Sequence, residues 1–152
     1  MNLVTIINMR AITKPINISF RNLSADDVES LVSIEQANSK HPWTDSNFAS
    51  SITNNNTLSC GLIVEQNIIG YALVLIALDS ADLLNIGIHP DYKRQGYGEM
   101  LLKHLLAQLK KTSVNNLLLE VRSENHIAIN FYQKHGFKSI STREKYYSNR
   151  ED

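Results

Sequence analysis

The sequence predicts a single α/β domain, residues 1–152, built on a mixed central β-sheet with helices on both faces. The chain has 152 residues, which is the length of one domain and enough to bury a core. Its apolar patterns follow the order β, α, α, β, β, β, α, β, α, β, without the strict alternation of a doubly wound fold. A helix that crosses between two neighbouring strands makes them parallel, with a right-handed connection. We therefore expect three antiparallel strands in a row, followed by one central parallel pair.

Composition and charge exclude several functional classes. Fifteen basic and fifteen acidic residues leave a formal net charge of zero, which argues against direct nucleic-acid binding over a large surface. Cys60 is the single cysteine, so no internal disulfide can form, and a small apolar strand residue is favoured over a catalytic thiol. No segment reaches the roughly 18 consecutive apolar residues of a membrane span. We expect a cytoplasmic protein without membrane association.

Strand and helix signals alternate clearly in the first half, after an N-terminal extension at residues 1–15. Ser24 and Thr44 are good N-caps, and Pro42 ends the first helix because proline restricts the residue before it. The predicted elements are a strand at Ile16–Arg21, helices at Ala25–Asn38 and from Thr44 through Ile52, and hairpin strands at Leu58–Glu65 and Ile68–Ala77 joined by a turn at Gln66-Asn67.

The second half contains the predicted crossover. The apolar run at Leu117–Val121 is typical of a strand covered on both faces, and it should lie parallel to Leu83–Ile88. Gly136 is a helix stop. The predicted elements are strands at Asp82–Ile88, Asn116–Val121 and Phe137–Thr142, a helix at Gly98–Lys111 with a stripe of leucines, and a helix at Asn125–Lys134.

A loop with two glycines carries the clearest site signal. It reads Lys93-Arg94-Gln95-Gly96-Tyr97-Gly98 and stands between a strand and a helix. Backbone N–H groups at a helix N-terminus, with cations beside them, form a nest for a phosphate-sized anion. The nucleoside-triphosphate P-loop pattern is absent, and Leu101 replaces the third glycine of the dinucleotide fingerprint. Gly87, inside the preceding strand, indicates either a bulge or the close approach of a backbone or ligand.

Two side chains are candidates for proton transfer. Glu120 ends an apolar run, and desolvation in a cleft would raise its pKa and make it a general base; the alternative is a solvated strand end. Tyr132 could donate a proton, or it could be a core tyrosine with its hydroxyl at the surface. Asn125 alone would be read as a helix cap. The five histidines are scattered without a His-x-x-x-His pair, so we expect no metal site.

Together these residues resemble the Gcn5-related N-acetyltransferase (GNAT) superfamily. The loop Lys93–Gly98 looks like its acetyl-CoA pyrophosphate loop, and Asn125–Phe137 looks like its terminal tyrosine–Gly-Phe motif. The resemblance is closer to the RimI-type protein N-alpha-acetyltransferases, which acetylate the N-terminal alanine of a small-subunit ribosomal protein, number eighteen. The segments that carry this closer resemblance are His41–Thr44, Leu84–Tyr92, Leu119–Asn125 and Arg143–Tyr147.

The resemblance implies a co-substrate, an acceptor and a role for each matching residue. Acetyl-CoA would be the acetyl donor, without a metal, and the N-terminal peptide of a ribosomal protein would be the acceptor. Glu120 would accept the proton of the attacking amine, and Tyr132 would protonate the departing CoA thiolate. The residues implied to bind acetyl-CoA are Ile86, Gly87 and Ile88 at the pantetheine arm, Arg94, Gln95, Gly96, Tyr97, Gly98 and Glu99 at the pyrophosphate, and Asn125.

The chain departs from the family pattern at two places. Lys93 stands where the family usually has Gln or Arg, which matters little because backbone groups make most phosphate contacts. The sequence stops at Asp152, where relatives continue into another apolar strand. We expect Leu3–Met9 or a second subunit to occupy that edge, in a monomer or a weak homodimer.

Two other functions remain open from the residues. One is a GNAT acetyltransferase that acts on a small amine or on lysine side chains. The other is a non-catalytic acyl-CoA-binding domain, which the presence of both Glu120 and Tyr132 argues against. On the acceptor side, Glu35, Trp43 and Tyr146 are candidates because they flank loops expected opposite the cofactor.

Overall fold

The structure is a computed structural model that describes residues 1–9 and 15–140. The chain divides into two compact units, Met1–Leu119 and Glu120–Asp152. The family-like segment Arg143–Tyr147, with the acceptor candidate Tyr146, lies outside the described residues.

The first unit contains the central sheet. Its strands are β1 (Ile18–Arg21), β2 (Thr57–Val64), β3 (Asn67–Ala77), β4 (Ser80–Ile88) and β5 (Asn116–Leu118). Its helices are α1 (Val28–Asn38), α2 (Asp45–Thr53) and α3 (Tyr97–Leu109), with short 3₁₀ turns at Ala25–Asp27 and Pro90–Tyr92. The strands lie in the order β1-β2-β3-β4-β5, and each neighbouring pair is antiparallel except β4 and β5, which are parallel. The predicted α/β class and the mixed sheet are confirmed.

Of the two predicted caps in the first half, Thr44 caps its helix α2, whereas Ser24 precedes a 3₁₀ turn and α1 has Asp27 at its N-cap position. Thr44 Oγ1 accepts a hydrogen bond from the Asn47 N–H at 3.2 Å and caps α2. In the turn before α1, the Ser24 N–H donates to the Asp27 carboxylate at 2.8 Å. The predicted first helix therefore starts as a 3₁₀ turn and becomes α-helical only at Val28.

The hairpin turn lies one residue earlier than predicted. Glu65 and Gln66 adopt positive φ values of 48° and 72°, whereas Asn67 is already the first residue of β3. A two-residue hairpin loop of this kind needs positive φ at both central positions, because only then does its twist match that of the strands. The prediction placed Asn67 in the turn because asparagine is common in such turns, and it was wrong by one position.

Helices cover both faces of the sheet, as predicted. On one face, Tyr71 and Leu73 of β3 pack with three fully buried residues of the first two helices, Leu31, Ile34 and Phe48. On the other face, His104 of α3 stacks on Phe20 of β1, with ring centroids 3.9 Å apart. The leucine stripe of α3 is buried at Leu101, Leu102, Leu105 and Leu109. Because side chains alternate along β3, each face receives its own helices.

Strand β5 is shorter and less covered than predicted. The prediction was Asn116–Val121, buried on both faces and paired along Leu83–Ile88. The observed strand ends at Leu118, it pairs only with Ser80–Asp82, and Leu118 is 40% exposed.

A bulge in β4 explains where this parallel pairing stops. Leu83 pairs with Val74 and Asn85 pairs with Leu73, so Leu84 is an extra residue without a partner in β3. A bulge disrupts the ladder, bends the strand and increases its local twist. The parallel pairs end at Asp82, immediately before this point, so the shape of β4 sets the length of β5.

The second unit contains helix α4 (His126–Lys134). Asn125 Oδ1 accepts from the Ala128 N–H at 3.2 Å, which confirms the predicted cap. The helix ends at Gly136, whose φ of 93° is the left-handed conformation that glycine tolerates best. The capping residue Asn125 and the terminating residue Gly136 were therefore enough to predict this helix from the sequence.

The predicted last strand, Phe137–Thr142, is wrong over its described part. Residues 137–140 have no regular structure, and the remaining two lie outside the described residues. The Phe137 N–H donates to the Tyr132 carbonyl at 3.1 Å, and the two rings pack with centroids 5.4 Å apart. The chain folds back onto α4 here instead of extending into a ladder.

The N-terminal residues do not supply a strand either. Leu3–Met9 carries no strand assignment, and Leu3 and Ile6 are 90% and 96% exposed. The expectation that this segment joins the sheet is therefore wrong, while the alternative of a second subunit stays a prediction. None of the helices within residues 1–9 and 15–140 is long and apolar enough to cross a membrane.

Candidate active site

The loop between β4 and α3 has the backbone conformation that the two-glycine pattern predicts. Gly96 is the N-cap of α3 and adopts a φ of 85°, and Arg94 also has a positive φ of 60°. A Cβ added at Gly96 would meet no atom within 4 Å, so the need for glycine is conformational. Gln95 stabilises the loop through a side-chain hydrogen bond to the Asp91 carbonyl at 3.1 Å.

The backbone donors of this loop are available to a ligand. Within the described part of the chain, the N–H groups of residues 95–98 donate no hydrogen bond, and the α3 ladder begins with the Met100 N–H bonded to the Gly96 carbonyl at 3.1 Å. Lys93 and Arg94 beside them are exposed. Unpaired N–H groups, a helix N-terminus and two cations together favour an anion.

The other two loop candidates have partners of their own. Tyr97 is only 6% exposed and packs against Tyr92, with ring centroids 5.9 Å apart, so its backbone and not its ring faces the loop. Glu99 forms an ion pair with Lys103 at 3.1 Å, one turn further along α3. This cation offsets the repulsion that a carboxylate would exert on a bound phosphate.

Just upstream, the end of β4 presents backbone groups along a second edge. The His89 N–H donates to the Ile69 carbonyl of β3 at 2.7 Å, whereas the Ile88 carbonyl accepts from the Asn38 side chain of α1 at 2.8 Å. Backbone groups of successive strand residues point to opposite edges. The N–H and C=O groups of Ile86 and Ile88 therefore face away from β3. Among the described residues of the first unit, this edge has no strand partner beyond Asp82.

Gly87 is required by packing, which corrects its two predicted explanations. The β4 bulge lies at Leu84, not at Gly87, which pairs in register with Tyr71. A Cβ on Gly87 would lie 2.8 Å from the Tyr71 hydroxyl and 2.9 Å from its ring. The close approach comes from a buried side chain, and the backbone groups of Gly87 face β3.

Sequence reasoning named Glu35 as an acceptor-side candidate but missed the buried polar cluster in which it lies, beside this edge. The Glu35 carboxyl group, on a residue 7% exposed, accepts hydrogen bonds from the Tyr71 hydroxyl and from Asn85 Nδ2, the latter at 2.8 Å. Burial, and then the hydrogen bond to Glu35, raise the pKa of Tyr71, which keeps its hydroxyl a donor. The available signal was a polar residue inside each of two apolar strands, facing a glutamate on an amphipathic helix.

The remaining predicted site residues belong to the second unit. Glu120 is exposed and lies two residues beyond β5, not enclosed as the desolvation argument required. Tyr132 is partly buried on α4 against Phe131 and Phe137, and this burial raises the pKa of its phenol. Asn125 caps α4 with its side chain. The catalytic roles of Glu120 and Tyr132 stay predictions.

The sulfur and imidazole groups have ordinary structural surroundings. Cys60 is buried and free, and burial raises its pKa to about 11, so it is not a thiolate at neutral pH. This supports its interpretation as a small apolar strand residue. In residues 1–9 and 15–140, no three His, Cys, Asp or Glu side chains are grouped so that they could hold a metal ion.

Comparison with known proteins identifies the family. The model of the acetyltransferase (GNAT) family matches residues 28–137, which includes β4, the two-glycine loop and α4. This chain belongs to the GNAT family of acetyltransferases. It is an acetyl-CoA-dependent N-acetyltransferase, and the family predicted from the sequence is confirmed.

Close relatives of this acetyltransferase have a named substrate. The [ribosomal protein bS18]-alanine N-acetyltransferase of Escherichia coli K12 is 37% identical over 126 residues, 83% of this chain and 84% of the relative. The enzyme of that name from Haemophilus influenzae is 38% identical over 82% of this chain and 84% of its own. The crystal structure of the Escherichia coli ribosomal-protein-S18-alanine N-acetyltransferase aligns with a TM-score of 0.82 at 36% identity, over 86% of this chain and 84% of that one.

Proposed function

We propose that this acetyltransferase transfers the acetyl group of acetyl-CoA to the N-terminal alanine of ribosomal protein bS18. The observation that carries the proposal is the 37% identity to the Escherichia coli enzyme of that activity over most of both chains. The alignment of folds over a similar share of the chain supports it. The acceptor is then the flexible N-terminus of a protein, which presents one α-amine.

The residues of the first unit fit the pyrophosphate and pantetheine parts of acetyl-CoA. The four unpaired N–H groups of residues 95–98 would bind pyrophosphate oxygens, with Arg94 and Lys93 adding positive charge at the surface. The open edge of β4 would hold the pantetheine arm through the backbone groups of Ile86 and Ile88. In the second unit, Asn125 would add a contact besides its capping bond.

From a protonated amine, the reaction requires the nitrogen to lose two protons, one before and one after it attacks the thioester, and the leaving sulfur to gain one. The thioester of acetyl-CoA supplies the acetyl group and carries the sulfur that leaves. An α-amine has an unperturbed pKa near 7.7–8.0, so it is largely protonated at neutral pH and benefits from a base of moderate strength. Glu120 would accept the first of these protons at a carboxylate oxygen and pass it to solvent, and the second, lost once the nitrogen is bonded to the acetyl carbon, would restore the phenol of Tyr132. Tyr132 would donate its phenolic proton to the leaving sulfur, and burial supports this by keeping the phenol protonated.

An acetylation assay over three classes of acceptor tests the proposal. Peptides with the N-terminal sequence of bS18, polyamines and peptides with internal lysines but blocked N-termini are each incubated with acetyl-CoA and this enzyme. We expect acetylation of the bS18 peptide and loss of acceptance when its first residue is already acetylated. Preferential acetylation of a polyamine or of internal lysines would assign the enzyme to another acceptor.

Two single variants test the roles of Glu120 and Tyr132, independently of the question of which acceptor is used. Glu120→Gln and Tyr132→Phe preserve side-chain size but remove the proton acceptor and the proton donor. General acid–base catalysis contributes about 10²–10⁴-fold, so each variant should lower kcat by a factor in that range. Unchanged rates in both variants, with CoA still bound, would contradict these two roles.

A further inference from the structure

We propose that helix α1 positions the CoA-binding edge of β4, with Asn38 and Glu35 as the positioning residues. Glu35, an acceptor-side candidate from the sequence, is only 7% exposed, and we assign neither side chain a contact with substrate. They act through the backbone of Ile86–Ile88, the segment that would hold the pantetheine arm. The inference rests on the proposed use of this edge by acetyl-CoA, and it does not depend on which amine accepts the acetyl group.

Helix α1 is tied to β4 on both sides of this segment. Before it, Asn85 Nδ2 donates to the Glu35 carboxyl group at 2.8 Å. After it, Asn38 Nδ2 donates to the Ile88 carbonyl at 2.8 Å. Glu35 and Asn38 are three residues apart, so they lie on one side of the helix, one turn from each other. The two bonds therefore bracket Ile86 and Gly87.

The edge of β4 at Ile86–Ile88 needs such support because β5 no longer pairs with β4 there. The parallel partner β5 pairs only with Ser80–Asp82, and the bulge at Leu84 follows at once. Beyond the bulge, β4 has β3 on one side and, among the described residues of the first unit, no strand on the other. A strand held by one ladder twists more freely than a strand inside a sheet. Hydrogen bonds from α1 supply the missing constraint.

The bond from Asn38 also decides which backbone groups a ligand can use. Asn38 occupies the Ile88 carbonyl from the side of the open edge. The Ile88 N–H and the Ile86 N–H and C=O face the same edge and have no hydrogen-bond partner among the described residues. The pantetheine arm is thereby directed to these groups, and its position along β4 is set.

Tyr71 of β3 also connects α1 to β4, because it contacts both Glu35 and Gly87. Its hydroxyl donates to Glu35, and its ring fills the space that Gly87 leaves by lacking a side chain. Tyr71 is 1% exposed, so the Glu35 carboxyl group cannot shift without disturbing the core. The position of α1 is transmitted to β4 through a packed contact.

Asn38→Ala is the most informative variant, because Asn38 is exposed and its removal leaves the core intact. Gln36→Ala is a matched control: Gln36 is exposed on the same helix and makes no hydrogen bond to β4 in the described structure. Alanine favours the helix in both variants, so neither should lower the melting temperature. A change in CoA binding then reports on the bond to Ile88.

Calorimetric titration with two probes separates positioning from stability. One probe is CoA itself. The other is adenosine diphosphate carrying the additional ribose phosphate of CoA, which is its nucleotide half without the pantetheine arm. We expect Asn38→Ala to weaken CoA binding by about two- to tenfold, the usual value of one hydrogen bond, and to leave binding of the nucleotide half unchanged. Gln36→Ala should alter neither affinity.

Glu35→Met provides the second variant. Its side chain has a similar length but offers Tyr71 and Asn85 only a weak sulfur acceptor in place of the carboxyl oxygen, so we expect selective loss of CoA binding here too. The positioning role would be overturned if a variant lost affinity equally for CoA and for the nucleotide half. It would also be overturned if both variants bound CoA as tightly as the wild type does. The wild-type titration is the check on the proposed function: an enzyme that binds neither probe would contradict that function first. Acceptor choice does not enter this measurement.

Discussion

Two buried carboxyl groups of the first unit, Asp27 and Glu35, differ in the partners that hold them. Asp27 is 8% exposed and receives two hydrogen bonds from the Arg21 guanidinium, each at 2.8 Å. Glu35 is 7% exposed and is bonded by the neutral side chains of Tyr71 and Asn85. The carboxylate paired with a cation braces the start of α1 against β1. The carboxyl group with neutral partners joins α1 to β3 and β4, beside the proposed CoA site.

The comparison shows that similar burial can serve different purposes. An ion pair stabilises locally and can be placed wherever two elements meet at the surface, because Arg21 keeps its outer part in water. A carboxyl group held by neutral donors depends on the position of each donor, so it constrains the strands that carry them. We therefore expect substitutions at the two sites to separate stability from CoA binding.

Removal of Glu35 should produce the largest effect. Glu35→Ala opens a cavity and leaves the hydroxyl of Tyr71 and the amide of Asn85 without their buried acceptor. We expect the free energy of unfolding to fall by about 3 kcal/mol, from two unpaired groups and the cavity together. Urea denaturation followed by circular dichroism measures this. A loss no larger than that of Asp27→Asn would show that the two sites are energetically alike.

A substitution at Gly87 tests the same cluster without touching its hydrogen-bonding groups. In Gly87→Ala the new methyl group would lie within 3 Å of the Tyr71 ring and hydroxyl, so this buried residue must move. Overpacking of this kind costs about 1–3 kcal/mol, and the displaced hydroxyl should also weaken CoA binding. Thermal unfolding with and without CoA measures both effects. Normal stability together with normal CoA affinity would contradict the packing role of Gly87.

The Asp27 site should give the smallest effect and one confined to stability. Arg21 donates to Asp27 and holds the pKa of this carboxyl group below its usual value, with help from the Ser24 N–H. Asp27→Asn should therefore cost about 1.5–2 kcal/mol at neutral pH, at the lower end of the range for hydrogen bonds to charged groups, with CoA affinity unchanged. A parallel loss of CoA affinity would remove the distinction between the two sites.

The pH dependence of this site follows from the direction of the pKa shift. A carboxyl group with a lowered folded-state pKa stabilises the fold above its unfolded value, about 3.9 for aspartate, and loses that contribution as the pH falls through the folded value. The stability difference between the wild type and Asp27→Asn should be constant above about pH 5 and shrink below about pH 4. Urea midpoints across this range measure it. A difference that persists at the lowest pH would exclude the ion pair as its source.

Local signals predicted the elements well. Thr44 and Asn125 cap their helices as expected, Gly136 ends α4, and the leucine stripe of α3 is buried. These signals succeed because each depends on groups within about one helical turn of each other. The loop at Gly96 was predictable for the same reason, since a left-handed N-cap before a helix needs glycine locally.

Predictions that required distant partners failed. Strand β5 stops at Leu118 because β4 bulges at Leu84, and that bulge depends on the register between β3 and β4. After Gly136, Phe137 packs back onto Tyr132 and residues 138–140 have no regular structure, although their composition favours a strand. A short apolar segment is compatible with several pairings, and only the neighbouring strands select among them.

By itself the sequence determined the fold class, the helices to within about one turn and the left-handed conformation of the loop before α3, because periodicity, caps and glycines act over a few residues. The family followed from the same short motifs, and the matched region of residues 28–137 confirmed it. Tertiary structure alone decided why Gly87 is glycine and which groups line the edge of β4. Tyr71 and Asn38 are 16 and 49 residues from Gly87 in the chain (87 − 71 and 87 − 38), yet both act on its segment. Contacts across such separations exist only after the sheet has set its register and α1 has packed on it.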